Sequence, residues 1–363
     1  MNAARKMSGD VRNVTAQGLF AELVERDGSD LHLAVGNPPA IRCHGILAPI
    51  KGYPCLDEAS LNGLVMEMVG QEDYDILNRS GDLDKALSLE GGYRLRVNAY
   101  RQQGSLALAL RLLPKEFMPF EKLGLSPKIL EFISGLHSGL VLVTGATSSG
   151  KSTTIASVVN RINETRPCHI LTIEDPIEYR HMSKRAFVSQ REIGRDTTSF
   201  AEALRRALRE DPDVVVVGEM RDLETMSAAL TLAETGHLTF ATLHTSNAVQ
   251  TISRIINAFP AEQQAQVRVQ IASTLQYVIC QKLIPWDHGM GRSLAAEVLV
   301  VTPAVRAMIR EEKSHQIQTA MQTNCNLGMQ TLNQSLRLLV RQRCITIKTA
   351  ISYSEDKKEF SNG

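Results

Sequence analysis

The chain has 363 residues, more than the roughly 250 to 300 at which a single hydrophobic core stops growing, so two domains are the first expectation. Forty basic residues against thirty-nine acidic ones leave a net charge of +1, which argues against an electrostatic commitment to nucleic acid or to an anionic membrane. The six cysteines (Cys43, Cys55, Cys168, Cys280, Cys325, Cys344) form no C-x-x-C pair, which excludes a zinc ribbon or thioredoxin-type motif and fits reduced thiols in a cytoplasm.

In chain order, Met1 to Arg12 mixes charge with small residues and lacks the apolar stretch of a secretory signal. The longest apolar runs, such as Gly139 to Val143, are too short to cross a bilayer, so a soluble protein is expected. Residues 1–114 read as a small mixed module: a helix around Ala16 to Arg26, a short strand at Asp30 to Val35 and a Pro38-Pro39 loop. Strands at Asp82–Leu89, Tyr93–Tyr100 and Ser105–Leu112 have the spacing of an antiparallel meander whose edge is open to a partner. Pro114 to Leu125, with two prolines, a glycine and no periodicity, looks like a linker.

From residue 115 to 363 the pattern is α/β. Short β-rich runs at Leu140–Thr144, His169–Ile173, Val214–Val217 and Leu238–Leu243 alternate with helical segments at Lys151–Asn163, Phe200–Arg209 and Leu223–Glu234, as in a parallel sheet. Beyond Pro303, Ala304–Glu311, Ser314–Gln322 and Met329–Gln342 read as helices, and the polar tail from Ser354 reads as frayed.

Gly145-Ala146-Thr147-Ser148-Ser149-Gly150-Lys151-Ser152 satisfies G-x-x-x-x-G-K-[ST] between an apolar strand and a helix. Such a loop wraps backbone N–H groups around phosphate oxygens, Lys151 reaches the outer phosphates and the Ser152 hydroxyl ligands Mg²⁺, with Thr153 in the same turn, so ATP with Mg²⁺ is the expected substrate. Further along, Glu174-Asp175-Pro176-Ile177-Glu178 puts acids at a strand's C-terminal end, where α/β sheets build sites; Glu174 is a candidate for holding Mg²⁺ or ordering water, while Glu178 reads as a solvated turn acid. The run Asp213 to Glu219 resembles a Walker B strand with Gly218 in place of the usual aspartate, which makes Glu219 the candidate to polarise attacking water. His237 and His244 bracket the strand Leu238–Leu243, and only His244 lies at the end expected to face nucleotide, either as a γ-phosphate sensor or as an ordinary hydrogen-bonded histidine.

Taken in order, these four elements resemble the Walker A, Asp box, Walker B and His box of the secretion ATPase superfamily. Gly28 to Leu33 and Ala304 to Glu311 resemble stretches of its type IV pilus retraction ATPases, so the likeness covers nearly the whole chain. The resemblance implies a cytoplasmic homo-hexamer, peripheral at the inner membrane, with a PAS-like N-terminal domain and a RecA-like ATPase domain. It implies a catalytic set of Glu219, Glu174, His244, His237, Arg96 and Arg111, the two arginines approaching the phosphates from the N-terminal domain. The implied partners are an inner-membrane platform protein and, indirectly, pilin, with no nucleic acid. A larger N-terminal region and the tetracysteine element of extension and secretion motors are missing, which favours retraction over an extension or type II secretion ATPase. Ser148, where many pilus motors carry glycine, and Ala307-Met308, where retraction motors often carry Asn-Leu, leave room for an accessory retraction paralogue. An ATP-binding regulatory module and a RecA-like nucleic-acid translocase are the remaining alternatives.

Overall fold

The structure is a computed structural model and describes residues 13–43, 45–287 and 291–360; the reading of Met1 to Arg12 falls outside them. It divides into a unit that ends at Lys115 and one that begins at Glu116.

The first unit runs α1 (Ala16–Glu25), β1 (Gly28–Ala34), β2 (Ala40–Cys43), β3 (Ile46–Pro49), α2 (Glu58–Val69), α3 (Gln71–Ser80), β4 (Asp82–Ser88), β5 (Arg94–Gln102) and β6 (Ser105–Leu113). Its antiparallel sheet has the order β3-β2-β1-β6-β5-β4. Alternation sets the two faces: Leu31 and Leu33, Leu95 and Val97, and Leu108 and Leu110 point into a core with Leu19, Leu23 and Leu61 of the helices. Asp30, Arg96 and Arg111, out of phase with that set, therefore occupy the opposite face. Gln103 and Gly104 both have positive φ, 49° and 84°, as a two-residue hairpin turn requires.

The second unit runs α4 (Pro127–Ser134), β7 (Gly139–Thr144), α5 (Lys151–Thr165), β8 (His169–Glu174), β9 (Phe187–Glu192), α6 (Phe200–Ala207), β10 (Val214–Val217), α7 (Leu223–Glu234), β11 (Leu238–Leu243), α8 (Ala248–Asn257), α9 (Ala261–Thr274), β12 (Leu275–Pro285), β13 (Arg292–Val300), α10 (Pro303–Arg310), α11 (Ile317–Thr323), α12 (Leu332–Arg341) and α13 (Ile347–Tyr353). The sheet order is β13-β12-β7-β11-β10-β8-β9, parallel except for β13. Both faces are covered, by α4 and α5 on one side and α6 to α10 on the other, which is why its central strands are continuous apolar runs without alternation.

Two expectations from the sequence need correction. The segment read as a linker to Leu125 buries Phe120, Leu123 and Leu125 against Ile129 and Leu294, so from Glu116 onward it belongs to the second core. The tail read as frayed makes a 3₁₀ turn at Lys357–Phe360; Phe360 packs beside α12, with the Arg337 guanidinium 5.4 Å from its ring centre. Among the described residues no helix is long and apolar enough to cross a membrane.

Phe240, in the middle of β11, is 1% exposed, whereas Phe187 on the edge strand β9 is 67% exposed. Phe240→Ala is expected to lower stability by about 3–5 kcal/mol and Phe187→Ala by under about 0.5 kcal/mol, measured by urea unfolding.

Candidate active site

Parallel pairing brings four strand ends together. Thr144 lies opposite Leu243, Val217 opposite Ala241 and Ile173 opposite Val217. The chain leaving each strand is bonded to its neighbour: Gly145 N donates to Leu243 O at 3.2 Å, Gly218 N to Ile173 O at 2.8 Å and Met220 N to Thr242 O at 3.0 Å. The Thr242 hydroxyl donates to Gly218 O at 2.5 Å. The phosphate loop, the two acidic segments and the histidine segment thus form one rim, at the C-terminal edge where such sheets bind ligands.

The loop Gly145 to Gly150 leads into the N-terminus of α5. Gly145 has φ 140°, and a Cβ there would lie 2.3 Å from Gln281 O. Lys151 Nζ donates to the carbonyls of Gly145 and Ala146 at 2.8 and 2.9 Å, which holds the ammonium over the loop, and its burial keeps its pKa below the ordinary lysine value. The Ser149 hydroxyl is 5% exposed and has no protein hydrogen-bond partner among the described residues, a spare donor beside the cradle. Ser148 takes φ 61°, the conformation that glycine at this position adopts without strain. The loop opens on a cavity of about 700 Å³ whose other walls include His244, Lys282, Arg292 and Tyr353. That volume falls within the roughly 300–1,000 Å³ of small-molecule sites.

The two carboxylates differ. Half-buried Glu174 accepts from the Thr172 hydroxyl at 2.7 Å and from Gln190 Nε2 at 3.2 Å; burial pushes its carboxyl up to about 7. With Ser152 it lines a small cavity of about 50 Å³. A hydroxyl and a carboxylate are hard oxygen donors, the chemistry a divalent cation such as Mg²⁺ takes. Glu219 is also partly buried, which pushes its carboxyl upward, but Arg221 Nη2 at 2.8 Å and His244 Nε2 at 3.0 Å outweigh that and hold it below the usual carboxylate range. It is therefore an oriented, ionised base on the rim. Gly218 has a steric reason: a Cβ there would meet Ile173 O at 3.1 Å and Glu174 Cα at 3.3 Å. Any side chain there, a Walker B aspartate included, would be crowded by the β8 backbone beside Glu174.

Glu219, His244, Glu174, Lys151 and Ser152 are thus gathered at the strand ends. His237 is not among them. It precedes β11 at the opposite end, about 20 Å of strand away at 3.3 Å per residue, with Nδ1 facing Leu232 O and Thr235 Oγ1. Arg96 and Arg111 are on β5 and β6 of the first unit, in direct register with each other. Sequence reading assigned no role to Arg221 or Thr242; the one signal was that Arg221 stands two residues past Glu219, a spacing too common to single out.

Comparison with known proteins points the same way. Residues 58–289 match the family described as Type II/IV secretion system protein. The chain is 45% identical over 342 residues to the Type IV pilus retractation ATPase PilT of Pseudomonas aeruginosa, covering 94% of this chain and 98% of that one. It is 44% identical over 323 residues to a twitching motility protein of Neisseria gonorrhoeae, covering 89% and 86%. Among solved structures, the pilus retraction motor PilT with bound ADP is similar with a TM-score of 0.89 at 46% identity, covering 97% of this chain and 100% of that one.

Because the Glu174 carboxyl is raised to about 7, the folded state holds its proton more tightly than the unfolded chain does. Its contribution to stability is complete below the ordinary value of 4.5 and is lost as pH rises through 7. In the absence of divalent cations, urea unfolding from pH 5 to 8 should show stability falling by up to about 1.4 kcal/mol per pH unit from this group, and a shallower fall in Glu174→Gln. Glu297, also raised to about 7, is present in both proteins, so the difference isolates Glu174.

Proposed function

Because the chain belongs to the Type II/IV secretion system protein family, we propose that it is an ATP-hydrolysing motor that powers type IV pilus retraction and, through it, twitching motility. Relatives with those activities match almost its whole length. The observation that carries the chemistry is the Glu219–His244 pair, 3.0 Å apart, on the same rim as the phosphate loop.

In this reading the N–H groups of Gly145 to Thr153 and the Lys151 ammonium bind the phosphates of ATP. Ser152 and Glu174 hold Mg²⁺, which when bound neutralises charge on the outer phosphate oxygens. Glu219, kept ionised by Arg221 and His244, accepts a proton from water as its oxygen attacks the γ-phosphorus and the bond to the β-phosphate oxygen breaks. His244 orients that carboxylate and faces the transferred phosphoryl group.

The finer architecture proposed is a PAS-like domain over residues 1–114 and a RecA-like domain over 115–363, assembled as a homo-hexamer. Arg96 and Arg111 approach the phosphates from the first domain and complete a neighbour's site, neutralising charge on the phosphoryl group in flight. The motor would act in the cytoplasm, peripheral at the inner membrane, on a platform protein and through it on pilin. The near-zero net charge fits a partner other than nucleic acid.

Lys151→Ala and Glu219→Gln are each expected to lower kcat by roughly 10² to 10⁴, read as phosphate release, with nucleotide binding retained in Glu219→Gln. Wild-type turnover in Glu219→Gln would remove it as the base. ATPase activity should also rise with protein concentration as the ring assembles and fall in Arg96→Ala and Arg111→Ala at unchanged mass by light scattering. An active monomer indifferent to both arginines would remove the ring.

A further inference from the structure

The face of the first sheet that turns away from its core places charges of both signs side by side. Arg96 and Arg111 are register partners on neighbouring strands, so two guanidinium-bearing side chains start directly across from each other. Like charges so placed are destabilising unless anions intervene. Each arginine has one carboxylate on its outer flank: Arg111 Nε donates to Asp30 Oδ1 at 2.8 Å, and Arg96 Nε lies 3.7 Å from Asp84 Oδ1.

The two flanks are not equivalent. Asp84 is 56% exposed and its contact is long, the kind of surface pair that fixes little. Asp30 is 13% exposed, lies in register with Arg111, and accepts a second hydrogen bond on Oδ2 from the Ser29 hydroxyl at 2.8 Å, with Arg42 Nε 3.8 Å away. Burial pushes the Asp30 carboxyl up, but the bonds from Arg111 and Ser29 prevail and keep it below the ordinary carboxylate range, so it stays an anion at neutral pH. The bond to Arg111 is made through Nε. It fixes the plane of the guanidinium and leaves the fork of Nη1 and Nη2 for a second anion.

We propose that Asp30 is a positioning residue for phosphoryl transfer: it holds Arg111 by Nε and so presents the Nη1–Nη2 fork to the phosphate oxygens of ATP. The proposal rests on the reading of Arg111 given above and adds what aims it. A long arginine free to sample its rotamers would have to be ordered at each turnover, and a buried carboxylate does that ordering in advance.

The test is steady-state ATP hydrolysis by wild type, Asp30→Asn, Arg111→Ala and the double variant, with assembly followed by light scattering. Asp30→Asn should lower kcat by roughly tenfold to a hundredfold at unchanged KM, and should cause no further loss when added to Arg111→Ala. The same fractional loss in both backgrounds, or wild-type kcat in Asp30→Asn, overturns the proposal. If Arg111→Ala itself turned over normally, the arginine reading would fail first and this inference with it. A slow Arg111→Ala beside a full-speed Asp30→Asn would remove the inference alone. Should Asp30→Asn not assemble, Asp30→Glu, which keeps the charge one methylene further out, is judged by the same comparisons.

Discussion

The register of the four central parallel strands is the constraint on which the site depends, and their apolar pattern does not set it. Val214 to Val217 is apolar on both faces, so a slip of one residue would bury the same side chains. The strand ends make the choice. At one end Asp213 exchanges two bonds with the start of β8: its N–H donates to His169 O at 2.9 Å, and its carboxylate accepts from His169 N at 2.8 Å. At the other end Gly218 O is held by the Thr242 hydroxyl. Because β10 stops opposite Ala241 while β11 continues to Leu243, the chain after Val217 folds into the space left beside Thr242 and Leu243, and Glu219 arrives next to His244. Polar groups at the strand ends therefore decide where the candidate catalytic residues lie.

Much of this was legible in the sequence because each element carried a local mark. β7 and β10 open at a glycine or just after an acid, β11 lies between His237 and His244, and α7 is capped by Asp222, whose carboxylate accepts from Thr225 N at 2.8 Å. β12 and β13 lacked such marks. Leu275 to Pro285 mixes glutamine and lysine into an apolar run without alternation, because the part to Cys280 runs beside β7 while Gln281 to Pro285 pair with β13 alone. Sequence reading assigned nothing to the helices α2 and α3; Gly70 ends one and starts the other, so no turn cluster marks the junction. The cavity wall at Lys282, Arg292 and Tyr353 draws on three distant segments, and no spacing rule connects them.

Gly218 shows how a departure from a general motif is explained by packing. In sequence alone a Walker B strand without its aspartate looks weakened. In the fold, a Cβ at position 218 would be crowded by the backbone of β8 at Ile173 O, 3.1 Å, and Glu174 Cα, 3.3 Å. A side chain at position 218 would press on main chain, which yields less readily than a rotamer.

The two carboxylates then divide by environment. Glu219 faces two cationic or protonatable partners and stays ionised; Glu174 is bonded by a hydroxyl and an amide, neither of which carries charge, so burial prevails and its carboxyl rises to about 7. Near neutral pH one acid is fully ionised, and the other is only partly ionised, so a nearby cation would raise its charged fraction. Separation of this kind is how two like residues acquire different tasks within one site. A divalent cation between Ser152 and Glu174 would draw the proton from Glu174 as it bound, whereas Glu219 would keep its state throughout. Under the proposed mechanism, the metal-binding role of Glu174 would thus depend on the cation being present, while Glu219 would be ready to accept a proton beforehand.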